Sequence, residues 1–176
     1  LNNHQKLFSQ ADNVRSIPSL MDGLKPSQRK VLFCAMKRNL VKGIKVSQFA
    51  GYISEHGAYH HGEVSLEGTI VNMAQDYVGQ CNYNLMFPSG NFGSRMGGGP
   101  DLKKGDDAAA ARYIFTYLNI GTKILFNTVD TMLLEQQEEE GMQIEPKFFA
   151  PVIPMVLVNG ATGIGTGYST NVQCYN

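Results

Sequence analysis

An α+β fold is predicted for this 176-residue chain. Its first part reads as a winged helix, meaning a helix-turn-helix followed by a β-wing, and its second as the beginning of a mixed α/β domain. Three observations carry that prediction. Three short helical patterns precede residue 79, short strands with Gly-rich turns follow, and the character of the chain changes beyond Thr128.

The elements follow in order. Asp12 or Ser16 can cap a helical turn, which Ile17-Pro18-Ser19 breaks. Asp22-Gly23 and Lys25-Pro26 mark a turn into a helix from about Ser27 to Asn39, with Pro26 near its start. On it Arg29, Lys30 and Lys37 share one side, while Val31, Cys34, Ala35 and Arg38 face elsewhere. Lys42-Gly43 ends it. Val46, Phe49, Ala50 and Ile53 recur at i, i+3, i+4 and i+7, an amphipathic helix that Gly57 closes. A third helix is expected from about Gly62 to Val78, with Val64, Ile70, Val71, Ala74, Tyr77 and Val78 buried. Leu85–Phe87 and Tyr113–Leu118 read as strands, with a turn at Pro88–Gly93 and a long Gly-rich loop from Arg95 to Asp107. A helix from about Ile120 to Phe126 closes the first unit. An acidic Leu134–Gly141 stretch, a Pro-punctuated Glu145–Pro154 stretch, an apolar Met155–Val158 run and a glycine cluster follow. The module boundary falls near 127, giving domains 1–127 and 128–176.

Composition bounds the class. Hydrophobic content of 43% with 17% charged residues is ordinary for a globular fold, and no 18-residue apolar run or signal pattern occurs, so no membrane association is expected. Leu1 in place of Met is read as the start of a segment within a longer polypeptide. Three widely spaced cysteines suggest neither a disulfide framework nor a zinc knuckle, and hence a reducing intracellular compartment. The zero net charge conceals an asymmetry. Residues 1–62 carry nine Lys/Arg against three Asp/Glu and all four histidines, and residues 63–176 carry six against twelve. The basic half has the form of a nucleic-acid footprint, although solvated faces that balance by chance would look the same.

Four motifs carry chemistry. Arg112-Tyr113, past a Gly- and Asp-rich loop, joins a guanidinium that can clamp a phosphate to a phenol that can attack one. Neighbours on a regular strand point to opposite faces, so both reach one phosphate only where the strand starts irregularly. Lys25, Arg29 and Lys30 form a basic helix start suited to backbone phosphates, or simply a solvated face. Tyr59-His60-His61-Gly62-Glu63 lacks metal-site spacing and sits at a helix entrance, where its donors can hold a phosphate or assist proton transfer. Gly160, Gly163, Gly165 and Gly167 match no nucleotide loop. A tight turn is their commonest use, and Ile164 between two of them could wedge between base pairs.

These pieces together resemble the DNA-cleavage core of eukaryotic-type (type IIA) DNA topoisomerases. The resemblance runs through Leu7-Phe8-Ser9, Arg15–Ser19, Asp22–Leu32, Tyr59–Glu63, Phe92–Arg95, Ala111–Ile114 and Ile153–Gly167, nearly the whole chain. It implies that Tyr113 is the nucleophile forming a 5′-phosphotyrosyl bond and that Arg112 stabilises the transition state. It further implies support from His61, DNA contacts by Lys25 and Tyr59, and intercalation by Ile164; Arg29, Lys30 and His60 complete the expected DNA-binding set. The second domain becomes the start of a tower-like domain.

The same resemblance implies a double-stranded DNA partner and a homodimeric, ATP-driven enzyme. Its place would be the nucleus or another intracellular DNA-containing compartment, cytoplasmic for a viral enzyme. No acidic Toprim cluster, ATPase motif or dimer gate is found in the chain. Mg²⁺ and ATP are therefore expected on domains outside it, with no metal ligands here, and the segment alone is expected to bind duplex DNA without cutting it. Two departures stand out. Pro100–Gly105 reads as an insertion, and Val64 replaces the methionine that vertebrate members carry beside the cleavage site. Two other readings stay open, a non-catalytic winged-helix DNA binder and a protein-interaction module acting through the acidic 130–145 stretch.

Overall fold

The computed structural model describes residues 2–97 and 105–176, so most of the expected Pro100–Gly105 insertion lies outside the described residues. Helix α1 (Asn2–Ser16) leads into α2 (Pro26–Lys37), a short β1 (Ile44–Lys45), α3 (Val46–His56) and α4 (Glu63–Ala74). Strands β2 (Met86–Ser89) and β3 (Phe115–Leu118) complete a three-stranded antiparallel sheet in the order β1-β3-β2, with Phe87 opposite Tyr117 and Lys45 opposite Phe115. From α2 to β3 the order is helix, strand, helix, helix, strand, strand, which is the predicted winged helix. Single turns α5 (Thr122–Leu125) and α6 (Thr128–Thr131) follow. Next come a hairpin of β4 (Gln136–Glu139) and β5 (Met142–Pro146), the turn α7 (Met155–Val158), and a hairpin of β6 (Ala161–Ile164) and β7 (Ser169–Val172).

Pro26 at the first helical position of α2 has the backbone angle a helix needs and no N–H to leave unpaired. Gln28 reaches back to the Lys25 N–H at 2.9 Å, satisfying a further free donor at the helix entrance. The core contains Val31, Leu32, Val46, Phe49, Ile53, Leu66, Ile70, Met86 and Ile114, and Phe126, Phe149 and Met155 belong to the same cluster. Hydrophobic packing therefore continues across the sequence boundary at 127/128.

Several expectations are corrected. Asp12 and Ser16 lie in the last two turns of α1 rather than capping a helix, because the helix begins well upstream. Helix α4 stops at Ala74: Gln75 leaves helical geometry, and its buried side-chain amide donates to the Phe92 carbonyl at 2.8 Å. The buried face is Leu66, Ile70, Met73 and Ala74, while Val64 and Val78 are 80% and 74% exposed. The acidic stretch is a β-hairpin whose two turn residues, Glu140 and Gly141, have φ of 51° and 75°. Positive φ at both positions matches the twist of the flanking strands.

Glu145 on β5 is buried, and Lys30 Nζ of α2 sits 3.0 Å from its carboxylate. Burial pushes the Glu145 carboxyl above its ordinary value, and Lys30 offsets that only in part. A raised folded-state pKa means a contribution to stability that is full below the ordinary carboxylate range and lost as pH rises through the raised value. Glu145→Gln is accordingly expected to gain stability relative to wild type as pH rises from about 4 to about 7. Urea unfolding midpoints across that range test this, and a constant difference would refute it.

Candidate nucleic-acid interface

Arg112 and Tyr113 lie on a turn ahead of β3, so the strand expected to start at Tyr113 begins only at Phe115. The Tyr113 N–H donates to the Ala110 carbonyl at 2.9 Å. The entrance of α3 secures the turn on both sides: Val46 N donates to Ile114 O at 3.0 Å and Ser47 N to Ala111 O at 3.2 Å. Ile114 is buried, whereas Tyr113 is 66% exposed. The irregular start removes the strand constraint, and the two side chains meet. The Arg112 guanidinium carbon stands 4.8 Å from the centre of the Tyr113 ring. The positive charge therefore lies over the face of the ring.

A second group of predicted residues lines one cavity of about 380 Å³. Lys25, at the N-cap of α2, and Lys30 on α2 line it, with Tyr59, His60 and His61 from the turn after α3. Ala58, with φ of 48°, reverses the chain there. Tyr59 is nearly buried, with its ring edge-on to His61 at 5.3 Å. His60 and His61 are exposed. Arg15 of α1 also lines the cavity; it lies in a full helix where the sequence pattern predicts only a broken turn. Arg112, Tyr113 and Ile164 are not among its lining residues.

Arg29 is corrected. Its guanidinium is buried, donating from Nε to Asp22 Oδ2 at 2.8 Å and from Nη2 to Asp22 Oδ1 at 3.1 Å and Leu24 O at 2.8 Å. It holds the α2 entrance together and does not face a phosphate. Lys30 reaches the cavity, but with its charge already paired to Glu145.

The glycine cluster is the β6–β7 hairpin. Along β6, Ala161 and Gly163 face inward while Thr162 and Ile164 face out, Ile164 being 79% exposed. A Cβ at Gly163 would collide with the Ser16 carbonyl and Pro18, and one at Gly165 with Asn13. The glycines thus let the hairpin lie directly on the end of α1. Thr166 adds a hydrogen bond to Asp12 Oδ2 at 2.7 Å, and Asn13 Nδ2 donates to Thr166 O at 3.3 Å. The Thr166 hydroxyl is the main cause holding the Asp12 carboxyl below its ordinary value. Gly163→Ala is expected to cost about 1–3 kcal/mol by overpacking against backbone that cannot yield. A lower urea unfolding midpoint is the expected reading, and an unchanged midpoint would count against this seating.

Asp107 closes the base of the loop before Ala108. Ser94 donates to it from backbone N and from Oγ, each at 2.7 Å, and these bonds lower the Asp107 carboxyl's pKa.

The family model for the DNA gyrase/topoisomerase IV A-subunit matches residues 15–176. A DNA topoisomerase 2 of Drosophila melanogaster is 55% identical over 170 residues, covering 97% of this chain and 11% of that protein. DNA topoisomerase 2 top-2 of Caenorhabditis elegans is 55% identical over 176 residues, covering 100% of this chain and 11% of its own length. The crystal structure of the Plasmodium falciparum topoisomerase II DNA-binding, cleavage and re-ligation domain superposes with a TM-score of 0.92 at 53% identity, covering 99% of this chain and 23% of that one. The chain therefore spans 11% of the length of the two curated relatives. It belongs to the DNA gyrase/topoisomerase IV A-subunit family, and over nearly its whole length it is similar to eukaryotic DNA topoisomerase 2 proteins.

Proposed function

We propose that this chain is the DNA-binding and cleavage segment of an ATP-dependent type II DNA topoisomerase, an isomerase that cuts both strands of one duplex, passes another through and reseals the first. The observation that carries the reading is the exposed Tyr113 with the Arg112 guanidinium over its ring, on a turn anchored to the core. The Tyr113 oxygen attacks a backbone phosphorus, forming a Tyr–O–P bond as the P–O3′ bond breaks. The phenol gives up its proton and the departing 3′-oxygen gains one. Arg112 stabilises the crowded phosphate, and resealing is the reverse step.

The basic cavity of Lys25, Tyr59, His60 and His61 receives duplex backbone. Ile164, held by the α1 seat, enters the base stack and bends the DNA. His61 supports the reacting centre. Among the described residues no three His, Cys, Asp or Glu side chains gather as a metal site. We place Mg²⁺ on a Toprim domain, and ATP on an ATPase domain, both outside this chain. The full-length enzyme acts as a homodimer in the nucleus or another DNA-containing compartment.

The test is covalent capture. Full-length enzyme incubated with duplex and Mg²⁺ and then denatured should retain DNA linked to the peptide that contains Tyr113. A link to any other tyrosine would overturn the assignment, and no link at all would favour a non-catalytic binder.

A further inference from the structure

The basic cavity holds one carboxylate. Beside Arg15, Lys25, Lys30, His60 and His61 stands Glu139, at the end of β4. Its Oε1 is 3.1 Å from His60 Nε2 and its Oε2 is 4.0 Å from Lys30 Nζ, with its side chain 40% exposed. The architecture does not call for this pairing. Lys30 already has a closer and more deeply buried partner in Glu145 at 3.0 Å, and the hairpin is closed by backbone pairing of Glu139 with Met142. What Glu139 does is place two carboxylate oxygens against His60 and Lys30, which would otherwise face the cavity. Carboxylate and phosphate oxygens make the same charge-assisted hydrogen bonds to such donors.

We propose that Glu139 is a built-in stand-in for a DNA phosphate. It occupies His60 and Lys30 in the free protein and is displaced when duplex backbone enters the cavity. The inference rests on the reading of that cavity as a DNA-binding site. Half-exposed ion pairs are weak, so displacement is easy for a polyanion that makes many contacts at once. A lone small anion gains much less from making the same exchange. The hairpin's tight two-residue turn fixes the backbone, so the change consists of the Glu139 side chain swinging out. Its neighbours Glu138 and Glu140 carry the same charge and do not line the cavity.

The experiment compares wild type, Glu139→Gln and Glu138→Gln in the full-length enzyme, binding a short fluorescein-labelled duplex at low salt, followed by anisotropy. Glu139→Gln is expected to bind about 2- to 5-fold tighter than wild type, the range an exposed ion pair accounts for. Glu138→Gln is expected to match wild type. Equal or weaker binding by Glu139→Gln overturns the proposal, as does an equal gain from Glu138→Gln, which would reduce the effect to net charge. Failure of wild type to bind duplex at all would instead sink the DNA-binding reading.

Discussion

Tyr113→Phe is expected to lose covalent DNA capture by about 10⁴-fold or more, the scale on which removing a covalent nucleophile acts, with duplex affinity near wild type. The separation of the two effects follows from where the residue sits. Only the phenol oxygen is deleted, and the remaining ring still lies under the Arg112 guanidinium at the same exposed turn. The backbone that positions it is unchanged, since Val46, Ser47 and Ala110 hold the turn through main-chain atoms alone. The measurement is adduct yield after denaturation in the presence of Mg²⁺, with duplex binding assayed in parallel. An undiminished adduct would mean that another of the tyrosines attacks. A large fall in affinity would mean that the hydroxyl binds DNA rather than reacting with it.

The largest expected effect on stability lies elsewhere, at Asp22. Its carboxylate is fully buried and accepts from Arg29 Nε and Nη2, from the Leu24 N–H at 2.9 Å and from the Phe149 N–H at 2.9 Å. It joins the α2 entrance to the segment after β5. Asp22→Ala leaves a buried guanidinium without a counter-charge and two backbone donors without acceptors. The expected loss is about 3–5 kcal/mol, read as a lower urea midpoint. The double variant Asp22→Leu with Arg29→Met should recover much of it, because no buried charge is then left alone. A loss below about 1 kcal/mol for Asp22→Ala would show that the pair is solvated. The same chemistry separates scaffold from ligand contact at Arg29. Its removal should lower stability and leave the salt dependence of DNA binding unaltered, whereas removing a phosphate contact reduces that slope.

Much of the fold was legible because it rests on periodicity. The i, i+3, i+4, i+7 pattern of Val46, Phe49, Ala50 and Ile53 became the buried face of α3, and Pro26 marked the start of α2. Periodicity was less informative where a single buried contact decides. Nothing in the pattern of α4 foretells that Gln75 will turn inward to Phe92 and end the helix before Tyr77 and Val78. Charge misled at Arg29, since a basic residue at a helix start looks the same whether it faces solvent or a buried aspartate seven residues earlier. Asp22 beside Gly23 was visible only as a turn signal. Glu139 escaped notice for the opposite reason. It sits in an acidic run, and only the fold of the hairpin brings it to histidine and lysine more than seventy positions away in sequence. The exposure of Ile164 could be guessed from its flanking glycines, but not the seat of its hairpin on Asp12 and Asn13, which needs the chain to return after some 150 residues.

The turn that carries Tyr113 also determines how force would pass through the molecule. The next residue, Ile114, is buried, pressed against Gly90 by its side chain and tied to Val46 by its carbonyl. A DNA end joined to the phenol would thus be moored, one peptide bond away, to the hydrophobic core. Tension on a cut strand would load the winged-helix core as a whole before it could unravel the turn. If cleavage and strand passage run as proposed, the anchorage of Tyr113 matters as much as its reactivity.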